Sequence, residues 1–257
     1  IDEDFPGHIN SVMNEFCTKA HRKEALEFVD ITTVEDRLRG KNTIVHEFIG
    51  KVSGWCRERF IPVDYDADGR LWHVLYCVEN IDEEKRREDR LMYLAQIDLM
   101  TGIRNRGSGE NKITEYLVRK QCGLLCLLDC DKFKSINDTY GHVVGDKVII
   151  AIADTLRKSC RDDDVVLRLG GDEFAVFIPG MLDKERAETF FDRLFSNIEH
   201  IDIAEMNGKN ILLSLGACFY DGMDCITFDQ LYRRADTAMY DSKKKQGYSA
   251  TIFDAKQ

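Results

Sequence analysis

The stretch Val165-Val166-Leu167-Arg168-Leu169-Gly170-Gly171-Asp172-Glu173-Phe174-Ala175-Val176-Phe177-Ile178 decides how the C-terminal half of this 257-residue chain is read. Val165 to Leu169 and Phe174 to Ile178 are short apolar runs of strand length, and the glycine pair between them tolerates positive φ, so the stretch predicts a β-hairpin. Two carboxylates, Asp172 and Glu173, then stand at its tip. Upstream, Leu124 to Leu128 is apolar at every position, as in a central strand covered on both faces, and it stops at Asp129-Cys130-Asp131. Neighbouring strands would bring these acidic ends together. Clustered ionised carboxylates repel one another and persist mainly where a cation neutralises them, so Asp129 with Asp172 or Glu173 is a candidate Mg²⁺ site. Oxygen-only donors argue against zinc. A single acidic residue at a strand end is ordinarily a solvated turn former; the paired occurrence singles these out.

Outward from this pair, Ile211 to Cys218 is strand-like, while Val144 to Arg157, Asp183 to Ile198 and Thr227 to Lys245 have helical periodicity. One sheet with helices packed on it accounts for the pattern. Asp183 is the expected N-cap of its helix, and Ala187, Phe190, Phe191, Leu194 and Ile198 mark the buried face. In the N-terminal third, Ile9, Val12, Met13, Phe16 and Ala20 follow a helical period, and a second helix begins near Glu24. Apolar runs at Ile44 to Phe48, Trp55 to Pro62 and Leu71 to Val78, with a turn at Asp64 to Gly69, predict antiparallel strands. Every residue from Asp82 to Arg90 is charged, which reads as a connecting helix; Glu84, Arg87 and Glu88 interrupt any coiled-coil seam.

With 44% hydrophobic and 32% charged residues and only 3 prolines, the composition is that of a globular protein rather than a disordered one. A net charge of -10, with no basic block longer than Lys243-Lys244-Lys245, disfavours a nucleic-acid polymer as partner. Small phosphorylated ligands stay open, because a cation and a few amide groups neutralise them locally. Of nine cysteines, Cys122, Cys126 and Cys130 recur every fourth residue, on one face of a strand, and read as buried thiols in a reducing compartment. The first residue is Ile1 and no run of 18 apolar residues occurs; the expectation is a cytoplasmic fragment without a membrane segment, an upstream anchor remaining open. His8, His21, His46 and His73 have no spacing that identifies haem or metal.

Three ordered motifs carry a resemblance. "DLMTGIRNR" at Asp98 to Arg106, "LLDCDKFKSINDTYGHVVGDKVI" at Leu127 to Ile149 and "RLGGDEFAV" at Arg168 to Val176 resemble the entry motif, nucleotide-binding stretch and signature of the GGDEF diguanylate cyclase family. The segment from Trp55 to Glu88 is loosely similar to the closing strands of a PAS sensor domain and its exit helix. The resemblance implies an α+β chain in three parts. Residues 1–81 would be a PAS-like module, incomplete at its start, 82–97 a signalling helix, and 98–257 a ferredoxin-like, palm-type GGDEF nucleotidyl cyclase domain.

The same resemblance implies site roles. The metal, Mg²⁺ or Mn²⁺, would be held by Asp129, the carbonyl of Cys130, Asp172 and Glu173. Asp172 or Glu173 would activate the attacking hydroxyl, the choice between them staying open, and Lys134 would stabilise the transition state. Asn137 and Asp146 fall on the family's guanine positions, and a carboxylate suits the donor pair of guanine, favouring GTP over ATP. His142 approaches the nucleotide in relatives. Arg161 and Asp164 have the spacing of the family's inhibitory product site, where the planar guanidinium suits phosphate and guanine. One departure stands out: Lys243 fits the family's phosphate-contacting lysine, but Gln246-Gly247-Tyr248-Ser249 has one extra residue and Tyr248 in place of a basic group. Lys243, or Lys244 and Lys245, would have to compensate.

The implied function is condensation of two GTP into cyclic di-GMP by a homodimer, under control of the N-terminal module and of product inhibition. The alternative is a catalytically inactive GGDEF module acting as a receptor for GTP or cyclic di-GMP. A polymerase palm is third, disfavoured by the acidic charge and the lack of a basic groove with stacking aromatics.

Overall fold

The computed structural model describes residues 5–245 and 247–254, in two compact units, 1–92 and 93–257. In the first unit, α1 (Phe5–Phe16), α2 (Arg22–Phe28), a 3₁₀ turn (Ile31–Thr33) and α3 (Val34–Leu38) precede an antiparallel sheet of β1 (Ile44–Gly50), β2 (Gly54–Tyr65) and β3 (Leu71–Asn80), in that order. The predicted first helical run ends at Phe16: Cys17 bridges to Gly50 of β1, and Ala20 lies exposed in the turn before α2. Ile9, Met13, Ala25, Phe28, Val34, Leu38, Phe48 and Phe60 make the core. An acidic side chain lies within it. Glu58 is fully buried and accepts from the Tyr76 hydroxyl at 2.6 Å, with His46 Nδ1 at 2.9 Å, so its carboxylate is not left unsatisfied. The connecting helix α4 (Asp82–Gln96) follows, and the division between the units falls inside it.

The second unit is built on a five-stranded sheet, order β5-β6-β4-β7-β8. Its elements run α5 (Arg106–Val118), β4 (Gly123–Cys130), α6 (Phe133–Tyr140), α7 (His142–Ser159), β5 (Val165–Gly170), β6 (Glu173–Pro179), α8 (Lys184–Glu199), β7 (Leu213–Tyr220), α9 (Phe228–Lys243) and β8 (Ser249–Ile252). β4 pairs antiparallel with β6 and β7, β5 antiparallel with β6, and β8 parallel with β7. From β4 to β7 the connectivity is βαββαβ, the ferredoxin-like arrangement. α6 and α7 follow β4, and α8 follows β6.

β4 is central and covered on both faces, which is why it reads as unbroken apolar sequence. Leu124, Cys126, Leu128 and Cys130 join the core of α7 and α8, while Leu125 and Leu127 join that of α9 and α5. Cys126 and Cys130 are buried on one face as free thiols, whereas Cys122 precedes the strand and is only partly buried. Asp183 caps α8 by accepting from the amide of Arg186, and Thr227 with Gln230 forms a capping box on α9. Three elements had no clear sequence signal. α5 has little amphipathic pattern, α6 is a short helix behind Lys132 at φ 57°, and β8 is four residues long. Among the described residues, no helix is long and apolar enough to cross a membrane.

Candidate active site

The β5–β6 hairpin forms as its glycines require, with Gly170 at φ 155° and Gly171 at φ 53°. β6 lies beside β4 in the register that sets Asp129 opposite Glu173. The amide of Cys130 points at the carbonyl of Asp172, 3.4 Å away. Acidic residues from segments some forty residues apart thus meet at one end of the sheet, as the sequence predicts. Asp131 is turned to structural use: it accepts from the Ser214 hydroxyl at 2.8 Å, and its amide donates to the carbonyl of Leu212.

The electrostatics are those of crowded, partly desolvated carboxylates. Burial, and then the charge of Asp129, push both Asp172 and Glu173 above the usual carboxylate range. Burial likewise lifts the Cys130 thiol far above its ordinary value. The one ion pair made by Asp129, Asp131, Asp172 or Glu173 among the described residues runs from Lys243 Nζ to Asp129 Oδ2, at 2.8 Å. Burial draws the Lys243 ammonium down, but the hydrogen bond and charge of Asp129 outweigh it and leave it raised. As the side chains stand, no group of three or more His, Cys, Asp or Glu among the described residues is arranged to hold a metal ion.

The hairpin tip is braced by a residue to which sequence reasoning gave no role. Arg168 on β5 donates through Nε and Nη2 to the carbonyl of Gly171, at 3.0 and 2.7 Å, and through Nη1 to both oxygens of Asp98, at 3.1 and 3.2 Å. Burial would push Asp98 up, but hydrogen bonds from Thr101 and then Arg168 bring it below its ordinary value. Asp98 and Arg168 open two of the quoted motifs, and that coincidence was the available signal.

Beside the carboxylates, α6 packs on α7 and brings Asn137 against Gly145. Asn137 Oδ1 is buried and has no hydrogen-bond partner, an unsatisfied acceptor of the kind native structures rarely leave without a ligand or water. Asp146 and His142 lie exposed at the start of α7, and Lys134 is exposed on α6. Among the described residues these three make no hydrogen bond or ion pair with the carboxylates. Lys244 is engaged by Asp241 and lies over the Tyr240 ring, and Lys245 reaches Thr251. Tyr248 packs on Phe195 and donates to the carbonyl of Ile211 at 2.9 Å. Of the three C-terminal lysines, Lys243 is therefore the one directed at the acidic cluster. Gln246 of the atypical ending lies outside the described residues.

Arg161 and Asp164 form a tight turn away from this site: the Arg161 amide donates to Asp164 Oδ2 at 2.7 Å. They line a cavity of about 220 Å³ together with Arg186, Thr189 and Arg193. Burial raises Asp164 above its usual range, against the Arg161 amide and guanidinium.

Residues 95–249 match the family model described as "Diguanylate cyclase, GGDEF domain". The chain belongs to the GGDEF family. It is 35% identical over 175 residues to diguanylate cyclase DgcM of Escherichia coli (strain K12), covering 66% of this chain and 41% of that one. Against diguanylate cyclase DgcP of Pseudomonas aeruginosa it is 30% identical over 192 residues, covering 70% of this chain and 28% of the relative. The chain thus spans less than half the length of these curated relatives. Among solved structures, the GGDEF domain of PA1120 from Pseudomonas aeruginosa superposes with a TM-score of 0.55 at 30% identity, covering 62% of this chain and 94% of that one. The coiled coil and GGDEF domain of DgcB from Caulobacter crescentus, solved in complex with c-di-GMP, gives a TM-score of 0.60 at 23% identity, over 67% and 93%. At that identity it speaks for the fold.

Proposed function

We propose that this chain is a diguanylate cyclase, condensing two GTP into cyclic di-GMP and two pyrophosphates. The observation that carries the reading is the convergence of Asp129, Asp172 and Glu173 at one sheet end, and α6, the helix that follows β4, carries the orphaned acceptor of Asn137. In each half-reaction the 3'-hydroxyl of one GTP attacks the α-phosphorus of the other. A P–O bond forms as the bond to the β-phosphate oxygen breaks, pyrophosphate leaves with the electron pair, and the hydroxyl proton passes to a base. Asp172 or Glu173, both raised by burial and by Asp129, fills that role. Asn137 Oδ1 accepts from the guanine edge, aided by Asp146 on the next helix, with His142 beside the nucleotide. Lys243 and Lys134 meet phosphate charge.

The donor set fits a divalent cation. Asp129, Asp172, Glu173 and the Cys130 carbonyl are hard oxygen donors, and the two hairpin carboxylates make no ion pair among the described residues. Mg²⁺ or Mn²⁺ held there would neutralise phosphate charge and lower the pKa of the attacking hydroxyl. Because each domain holds one GTP and two must face each other, the working form is a homodimer. Arg161 and Asp164, with Arg186 and Arg193 on the same cavity, make the product-inhibition site. The three antiparallel strands and exit helix of the first unit support a PAS-like regulatory module. We place the chain in the cytoplasm, where GTP is found.

The test is incubation with GTP and Mg²⁺, with chromatography for cyclic di-GMP and pyrophosphate, beside ATP and metal-free controls. Metal-dependent product from GTP alone supports the cyclase. Asp172→Ala should abolish synthesis while leaving the melting temperature within a few degrees, since a strand-tip carboxylate contributes little packing. Tight binding of GTP or cyclic di-GMP without turnover would move the assignment to a receptor.

A further inference from the structure

Lys243 sits where the proposed cation would be needed. It is the last residue of α9, and its backbone is held in place: the buried Ser242 hydroxyl bonds the carbonyl of Leu215 on β7 at 2.7 Å and Thr251 of β8 at 2.8 Å. The side chain is freer, being 39% exposed while that of Asp129 is 13% exposed. A lysine is a compact charge on a flexible four-carbon stem, able to swing several ångströms without moving its helix. Its charge acts on Asp129, Asp131, Asp172 and Glu173 together. The neighbouring cations cannot replace it, because Lys244 and Lys245 are turned to Asp241 and Thr251. Tyr248, in the place of a basic group, is anchored on Phe195 and Ile211.

We propose that Lys243 is an exchangeable counter-ion: it neutralises Asp129 in the metal-free chain, and a divalent cation displaces it toward the triphosphate. This rests on the metal reading of the carboxylates above. A largely buried carboxylate beside two others is stabilised by a cation, and in the structure the chain supplies its own through Lys243. One charge pairs with one carboxylate: Asp172 and Glu173, raised by burial and then by the charge of Asp129, have no ion pair among the described residues while Lys243 occupies Asp129. A dication neutralises more of them and frees the ammonium, which then has an anionic partner only when nucleotide phosphates are present. Metal and nucleotide therefore bind with positive coupling, because the lysine released by one is the ligand of the other. Among the described residues no other basic side chain makes an ion pair with these carboxylates, so the exchange falls to Lys243.

The test is a Mn²⁺ titration of the whole chain without nucleotide, followed by electron paramagnetic resonance, on the wild type, Asp129→Asn and Lys243→Met. Wild-type binding should be lost in Asp129→Asn and tightened about two- to fivefold in Lys243→Met, the range a partly exposed lysine–carboxylate pair supplies. In the wild type, Mg²⁺ should also raise modification of Lys243 by an amine-reactive reagent, read by mass spectrometry, and should not do so in Asp129→Asn. Mn²⁺ binding that needs Asp129 but is unchanged or weakened in Lys243→Met overturns the exchange and leaves the metal site standing. No Mn²⁺ binding in the wild type overturns both.

Discussion

Gly145→Ala separates the stability of this domain from its base recognition. Gly145 lies in α7 facing Asn137 of α6, and a Cβ there would stand 1.9 Å from Asn137 Oδ1, 3.0 Å from its Cγ and 3.3 Å from the Phe133 ring. The amide oxygen must retreat by at least about 1.5 Å to reach ordinary contact. Because it is the far end of a short side chain, retreat is a rotamer change costing about 0.5–1.5 kcal/mol. Against it stands a gain of about 1 kcal/mol from replacing a helix-interior glycine by alanine. The two nearly cancel, so the melting temperature should stay within about 4 °C of wild type. Nucleotide binding should not be spared. If Asn137 Oδ1 accepts from guanine, misdirecting it removes a buried hydrogen bond worth about 1–3 kcal/mol, or about 5- to 150-fold in affinity. Calorimetric titration with GTP beside thermal melting reads both quantities on the same sample. Unchanged GTP affinity with an unchanged melting temperature would refute Asn137 as the base contact.

Other substitutions test separate features. Gly216 on β7 meets the α9 backbone, where a Cβ would lie 2.1 Å from the Met239 amide nitrogen and 2.2 Å from the Ala235 carbonyl oxygen. Neither atom can rotate away, so Gly216→Ala should lower stability by about 3 kcal/mol or more, measured by urea unfolding; a loss under about 1 kcal/mol would contradict this packing. Arg161→Ala should flatten inhibition by added cyclic di-GMP with little change in the initial rate, and an unaltered inhibition curve would remove that cavity from product control. Asp172→Asn should make the metal-free protein more stable than wild type at neutral pH. The folded-state pKa of Asp172 is raised, so the native state binds the extra proton and wild-type stability falls as pH rises from about 4 through that raised value. The advantage of the variant should accordingly vanish on acidification and shrink when Mg²⁺ is added to the wild type; melting curves against pH, with and without Mg²⁺, check the sign.

Much of the fold was legible because its signals are local. The apolar run of β4, the glycine pair before Asp172, the capping aspartate of α8 and the periodicity of α7, α8 and α9 each specify backbone geometry within a few residues. Helix α6 was missed because its start depends on Lys132 adopting φ 57°, a conformation that no neighbouring residue type announces. β8 was missed because four residues carry too short an alternation, and its strand character comes from pairing with β7. Periodicity alone carries the first helix on to Ala20, whereas the Cys17–Gly50 bridge ends that helix through contact with β1. In the site, the two acidic strand ends were legible, but the meeting of Asp129 with Glu173 comes from the long-range antiparallel pairing of β4 with β6, which no hairpin joins.

By itself the sequence determined the α+β alternation, the carboxylates at the ends of β4 and the hairpin, and membership of the GGDEF family through three ordered motifs. Tertiary structure alone decided which charge answers which. Arg168 ties Asp98, seventy residues away, to the carbonyl of Gly171; Lys243 rather than Lys244 or Lys245 reaches Asp129; Tyr248 turns to Phe195; and Asn137 Oδ1 is left without a partner. Backbone conformation is chosen largely by neighbours in the chain, whereas the partner of a long polar side chain is chosen by what the packed sheet and helices bring within about 3 Å of it, and that proximity is fixed only once distant segments have closed on one another.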